Sequence, residues 1–100
     1  MIKIKIRKNE KIDYIEVKGH AEYDEYGKDI VCASVSSIII TTINALVRID
    51  QTSIDYNDND GVYINVLKHT EVIDKLLENL ESLLLDLEKQ YPKYIEIRRC

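Results

Sequence analysis

The chain has 100 residues, a length that predicts one domain, 1–100, with a single hydrophobic core. Its net charge of −4 argues against a general nucleic-acid-binding surface, so we expect no direct nucleic acid contact. Its two cysteines, one of them the last residue, form no disulfide framework. The alternating start, Met1-Ile2-Lys3-Ile4-Lys5, is not a signal peptide, and we expect a reduced, cytoplasmic protein.

The first elements in chain order are two strands. Apolar and basic residues alternate from Ile2 to Arg7, which predicts a strand with one solvated face. A polar turn at 8–11 and a second apolar stretch, 12–18, complete a predicted hairpin. The hairpin ends at Gly19-His20, and we expect the polar residues 21–28 that follow to form a mobile flap.

The next element is a charge-free stretch, 30–47, long enough to be a candidate membrane span. A soluble helix is favoured, because polar side chains recur on it at helical spacing, at Ser34, Ser37, Thr41, Asn44 and Arg48. We expect this helix to be nearly buried, by the sheet and by another element or a partner chain. Its apolar surface exceeds what one side of a small sheet covers, so a homodimer is also expected.

The second half of the chain repeats the strand-strand-helix pattern. Residues 53–57 and 62–66 predict another hairpin, and Thr70 can cap a second amphipathic helix that Tyr91-Pro92 ends. A last strand follows at 94–98. The order ββαββαβ predicts an α+β fold, a small two-layer domain of about five mostly antiparallel strands with two helices.

The candidate catalytic residues, His20 and Cys32, flank the junction between the first hairpin and the first helix. Asp29 is a suitable N-cap, which puts Cys32 in the first turn, where the helix dipole favours a thiolate. The loop between Gly19 and Gly27 can fold back and bring the imidazole to the sulfur, as cysteine catalysis requires. A buried inert cysteine and a surface histidine would fit the same residues. Asp29 either orients His20 or only caps the helix; the cap is favoured because it needs no fold-back.

Further candidates surround this pair. The possible substrate-binding residues are Gly19, Ala21, Ile30, Val31, Ala33 and Ser36. Of these, Ser36 lies one turn after Cys32 and fits a packing role better than a chemical one. The acidic residues Glu22, Asp24 and Glu25 would suit a basic substrate, although an ordinary solvated loop explains them equally well. No metal site is expected, since the cysteines and histidines lack ligand spacing and His69 has no cysteine or acid at ligand spacing.

One stretch resembles a known family. Gly19-His20-Ala21 and then Gly27-x-Asp29-Ile30-Val31-Cys32-Ala33-x-Val35-Ser36 resemble the signature of the bacterial ribosomal-processing cysteine proteases. The histidine and cysteine of that family fall on His20 and Cys32, and Ser34 departs from its usual Ala or Gly. The resemblance implies a cysteine endopeptidase that removes the N-terminal extension of a large-subunit ribosomal protein during ribosome assembly, without a cofactor. Backbone N–H groups around Val31 to Ala33 would hold the oxyanion.

Two other classes of function fit the same sequence. One is a non-catalytic ribosome-associated binding module in which Cys32 is only a core thiol. The other is a different thiol hydrolase or a redox-sensing protein. Thiolate reactivity separates the binding module from the enzymes, and peptide cleavage separates the protease from the rest.

Overall fold

The computed structural model describes residues 1–19 and 28–100, and for Lys28 and Asp29 only the backbone. In these residues, strands and helices follow one another in the predicted order. The strands are β1 (Ile2–Asn9), β2 (Lys11–Lys18), β3 (Ile54–Asn57), β4 (Val62–Val66) and β5 (Ile95–Arg99). The helices are α1 (Lys28–Ile49) and α2 (Glu71–Gln90). The predicted α+β fold is therefore confirmed.

The strands form one sheet in the order β3-β4-β2-β1-β5. Both predicted hairpins are antiparallel pairs, as is β2 with β4, and only β1 with β5 runs parallel among the described residues. Along β1, Ile2, Ile4 and Ile6 are buried while the residues between them are exposed. This alternation means that the helices cover one face of the sheet and that the other face meets solvent.

Helix α1 packs one face into the core and leaves the opposite side in solvent. Val31, Val35 and Leu46 are buried, whereas Ile30 and Ile40 are 52% and 57% exposed. In one copy of the chain this helix is therefore not nearly buried, because the sheet and α2 reach only one side of it, and its burial by a partner chain stays a prediction. Residues 30–49 would be long and apolar enough to cross a membrane, yet this element supplies part of the core of a folded domain.

Helix α2 begins and ends as the sequence predicts. The Thr70 side chain accepts a hydrogen bond from the Ile73 backbone N–H at 3.2 Å, and the Tyr91 N–H bonds to the Leu87 carbonyl at 2.8 Å. Its core face is apolar except for Glu81, whose side chain is 8% exposed. Opposite charges stabilise this buried carboxylate, since Lys8 lies 3.2 Å away on β1 and Arg99 lies 3.4 Å away on β5.

Candidate active site

Cys32 lies one turn into α1, half-buried, and is not in a disulfide. We predicted Asp29 as the N-cap, the residue just before the helix. The helix begins at Lys28 instead, so Asp29 lies inside its first turn. The backbone at Lys28 is already helical, a shift within the usual uncertainty of helix boundaries. The side chain of Asp29 lies outside the described residues, so its capping and orienting roles stay predictions.

The earlier start of α1 also changes which backbone groups could hold an oxyanion. In an α-helix, only the N–H groups of the first turn lack a carbonyl partner four residues earlier. In α1 the first four N–H groups are those of residues 28 to 31, so of the predicted donors at Val31 to Ala33 only Val31 is among them. The N–H groups of Cys32 and Ala33 have helical carbonyl partners four residues earlier, at Lys28 and Asp29.

The partner of Cys32 in the predicted pair belongs to the part of the chain that is not described. Outside the described residues lie His20, Ala21, Glu22, Asp24 and Glu25. The predicted flap, 21–28, also falls there except for the backbone of its last residue. The contact between His20 and Cys32, the acidic rim and the flap all stay predictions.

The structure does describe the strand end from which His20 follows. Gly19 adopts φ +100°, and a Cβ on it would collide with the carbonyl oxygen of Met1. A second glycine, Gly61, contacts the same strand end. Gly61 has φ +136°, and a Cβ on it would lie 2.8 Å from the carbonyl oxygen of Val17, two residues before Gly19. These close approaches require glycine at both positions. They hold the end of β2 between Met1 and the β3–β4 turn, so the backbone is held in place as far as Gly19, the residue before His20.

The predicted substrate-binding residues of α1 point in different directions. Val31 is 0% exposed and belongs to the core, so only its backbone remains available to a substrate. Ile30 and Ala33 are exposed, but Ile30 points about 200° around the helix from Cys32, because each residue adds about 100°. Ser36 is exposed on the same stripe of α1 as Cys32, which does not fit a packing serine.

Ser34, the one departure from the family signature, is accommodated inside the helix. Its hydroxyl donates a hydrogen bond of 2.8 Å to the Ile30 carbonyl, one turn earlier. A serine bonded in this way leaves the position small and uncharged. The substitution therefore brings no new group into the neighbourhood of Cys32.

A groove that we did not predict continues the Cys32 stripe. It has a volume of about 250 Å³ and is lined by Ile39, Ile40, Ile43, Asn44, Tyr56, Asp58 and Val62. The first four residues come from α1, and the others come from β3, β4 and the turn between them. The sequence holds a signal for the α1 wall, because Ser36, Ile39, Ile40 and Ile43 follow Cys32 at helical spacing. The wall from the hairpin depends on long-range packing and has no such signal.

No candidate metal site is present in the described residues. No group of three or more His, Cys, Asp or Glu side chains within 1–19 and 30–100 could hold a metal ion. His69 instead pairs with an acid on the first turn of α2, with its Nδ1 2.7 Å from Asp74 Oδ1. His69 is thus part of the start of α2, in agreement with its predicted place at a loop or cap.

Comparison with protein families and relatives points to one group. The family model described as cysteine protease Prp matches residues 1–96. A protein of Staphylococcus aureus named ribosomal processing cysteine protease Prp is 29% identical over 103 residues, which is 97% of each chain. A Bacillus subtilis protein of the same name is 37% identical over 73 residues, covering 71% of this chain and 63% of that one.

Solved structures agree with this fold over its whole length. The ribosomal processing protease Prp of S. aureus in complex with a substrate peptide matches with a TM-score of 0.91 at 24% identity, covering 100% of both chains. The same protease in complex with a covalently linked product peptide matches with a TM-score of 0.88 at 25% identity, again covering 100% of both.

Proposed function

The chain belongs to the family of the cysteine protease Prp, and on that premise we propose that it removes the N-terminal extension of a large-subunit ribosomal protein. The cleavage accompanies ribosome assembly in the cytoplasm, where thiols stay reduced. It needs no cofactor and no direct contact with nucleic acid. The observation that carries the proposal is the position of Cys32 one turn into α1, beside the helix start and on a stripe that continues into a groove.

The proposed mechanism uses Cys32 and His20 as nucleophile and base. His20 takes the thiol proton, and Cys32 Sγ attacks the scissile carbonyl carbon to form a C–S bond and an oxyanion. The N–H groups of the first turn of α1 stabilise that oxyanion. The C–N bond then breaks as His20 protonates the leaving amine. A water molecule, deprotonated by His20, attacks the thioester, releases the new carboxylate and restores the thiol. Asp29 serves as an orienting residue or belongs only to the helix start.

Cleavage of the ribosomal precursor by variants tests this mechanism. Mass spectrometry should detect one cleavage by the wild type, and Cys32→Ala and His20→Ala should each lower the rate by about 10³-fold or more, as in other enzymes that lose one member of a catalytic set. Cys100→Ser is the matched control, since Cys100 is exposed at the chain end and should not matter. Cleavage by Cys32→Ala would exclude the cysteine mechanism. Fast alkylation of Cys32 without cleavage of the precursor would indicate a different thiol enzyme.

The acidic residues of the predicted flap are proposed to steer a basic substrate. Exposed charges are screened over about 10 Å at 0.1 M salt, so kcat/KM on the precursor should fall as salt rises. A triple variant, with Glu22→Gln, Asp24→Asn and Glu25→Gln, should flatten that dependence and leave kcat nearly unchanged. A wild-type salt slope in the triple variant would show that this is only a solvated loop.

We also propose a homodimer formed by the outer sides of α1 and α2. Ile30 and Leu83 are 52% and 39% exposed, and an apolar surface groove lined by Ile30, Ala33 and Leu87 lies there. A two-fold contact would bury this surface, which points away from the Cys32 stripe. Light scattering at micromolar concentration should give a dimer mass that Leu83→Lys lowers. Ile49→Lys, at a 50% exposed position at the end of α1, is the control and should keep the dimer.

A further inference from the structure

We propose that the groove between α1 and the β3–β4 hairpin is a substrate subsite for one large apolar side chain, about four residues from the scissile bond. We name it the distal groove; its walls are Ile39, Ile40, Ile43 and Asn44 on α1 and Tyr56, Asp58 and Val62 on the hairpin. The inference rests on the proposed function, because it takes Cys32 as the nucleophile. It adds to that function a specificity determinant remote from the cleaved bond.

The distance along α1 sets the predicted position of the side chain. The centre of the distal groove, near residue 41, lies nine residues after Cys32, which is about 13 Å at about 1.5 Å per helical residue. An extended peptide advances about 3.3 Å per residue. A peptide that runs from the sulfur along the exposed stripe through Ser36 therefore brings its fourth residue, counted from the scissile bond, over the groove.

The walls of the distal groove suit an apolar side chain. Ile39 and Ile43 are buried at 2% and 7% exposure and form its floor. Ile40 and Tyr56 are 57% and 50% exposed and stand at its rim. A concave site with an apolar floor and exposed large apolar side chains around it is typical of a ligand-binding surface.

Polar groups at the rim favour a basic polypeptide as the occupant. The Asn44 amide can accept from an N–H group or donate to a C=O group of an extended backbone, and the Asp58 carboxylate can accept from an N–H group. Asp55, Asp58 and Asp60 have no ion pair with any described residue, so their charge is available to a basic chain, such as a ribosomal protein. A second copy of this acidic chain fits less well, because a two-fold contact here would bring two acidic turns together.

Peptide scanning combined with groove variants tests the subsite. In precursor peptides, each apolar residue within six positions of the scissile bond is replaced by Ala, and KM and kcat are measured. One replacement three to five residues from the bond should raise KM about 10-fold and leave kcat within about 2-fold, since the contact is remote from the reacting atoms. The variants Ile40→Ser and Tyr56→Ser, both at exposed positions, should raise KM for the unmodified peptide by a similar factor.

The combination of the two changes is the decisive measurement. If the replaced side chain binds in the distal groove, the groove variants should not raise KM for the Ala peptide any further. The peptide replacement and the groove substitution then remove the same contact, so their effects do not add. Ile49→Ser, at the 50% exposed last residue of α1 and outside the lining of the distal groove, is the matched control and should behave as wild type. The subsite is wrong if the two increases in KM add. It is also wrong if no replacement three to five residues from the scissile bond raises KM. In both cases the protein would still cleave the precursor.

Two further outcomes separate this inference from its premises. If Ile40→Ser also changes the mass seen by light scattering and weakens all peptides equally, a second copy occupies the distal groove and the subsite is wrong. If the wild type cleaves no precursor peptide, the proposed function fails, and the subsite fails with it.

Discussion

Replacing Gly19 by Ala should impair catalysis more than it impairs folding. The φ of +100° at Gly19 is unfavourable for a residue with a Cβ, by about 1–2 kcal/mol for left-handed backbone. The new Cβ would also collide with the Met1 carbonyl, and Met1 cannot move freely because the adjacent Ile2 N–H bonds to the Tyr94 carbonyl at 2.8 Å. We expect a total destabilisation of about 2–3 kcal/mol, less than the stability of a typical domain, about 5–15 kcal/mol.

The catalytic effect of Gly19→Ala should be larger, because position 19 directly precedes His20. A displacement of about 1 Å in a catalytic group lowers a rate by about 100-fold. Urea unfolding at 25 °C should show a folded variant, and kcat on a precursor peptide should fall by about that factor.

Gly61→Ala is the matched control for this experiment. Its φ of +136° and a Cβ position 2.8 Å from the Val17 carbonyl predict a comparable loss of stability. Gly61 adjoins the β3–β4 turn and not His20, so its kcat should stay within about 3-fold of wild type. The reasoning is refuted if Gly19→Ala keeps wild-type kcat, or if both variants lose kcat equally.

Three further predictions concern stability, each measured by urea unfolding. Glu81→Leu should leave the free energy of unfolding unchanged or raise it, because an apolar residue avoids the desolvation of a carboxylate that is 8% exposed; a loss above about 2 kcal/mol would contradict this. Thr70→Ala should lower it by about 1 kcal/mol through loss of the α2 cap, and Thr70→Ser should restore most of it. The pKa of Asp50 is held below its ordinary 3.8 because the Thr52 hydroxyl and then the Thr52 backbone N–H donate to it. Its stabilisation is therefore present above pH 3.8 and lost as pH falls through the lowered pKa, so Asp50→Asn should unfold with a smaller acid dependence.

Local patterns predicted the elements, because alternation and helical spacing are properties of neighbouring residues. The Ile2, Ile4 and Ile6 alternation marked a strand with one buried face, and the structure buries all three. The parallel pairing of β1 with β5 joins the two ends of the chain, so no local pattern contains it. The sequence predicted more apolar surface on α1 than a small sheet covers, but not that Ile40 would be an exposed part of it, since local spacing does not say where the sheet and α2 contact the helix.

In the candidate site, too, the sequence predicted the parts that depend on nearby residues and not the parts that depend on distant ones. Cys32 was identified from its place at the start of a helix, and that placement depends only on nearby residues. The distal groove was not predicted because Tyr56 and Val62 follow Asn44, the last α1 residue of the groove, by 12 and 18 residues, which is too far for a local pattern to relate them. The requirement for glycine at Gly19 has a similar origin, since it comes from contact with Met1 at the other end of the first hairpin.

These results together explain why α1 lacks charge between residues 30 and 47. Val31 and its neighbours on the inner face enter the core, where an unpaired charge is strongly unfavourable. Ile40, on the Cys32 stripe, borders the proposed subsite, and Ile30, on the outer side, belongs to the proposed dimer surface. The polar residues Thr41 and Arg48 are exposed and line neither of these two grooves. A helix with three apolar surfaces has the composition of a membrane span, and the assignment of those surfaces to core, substrate and partner accounts for that composition in a folded domain.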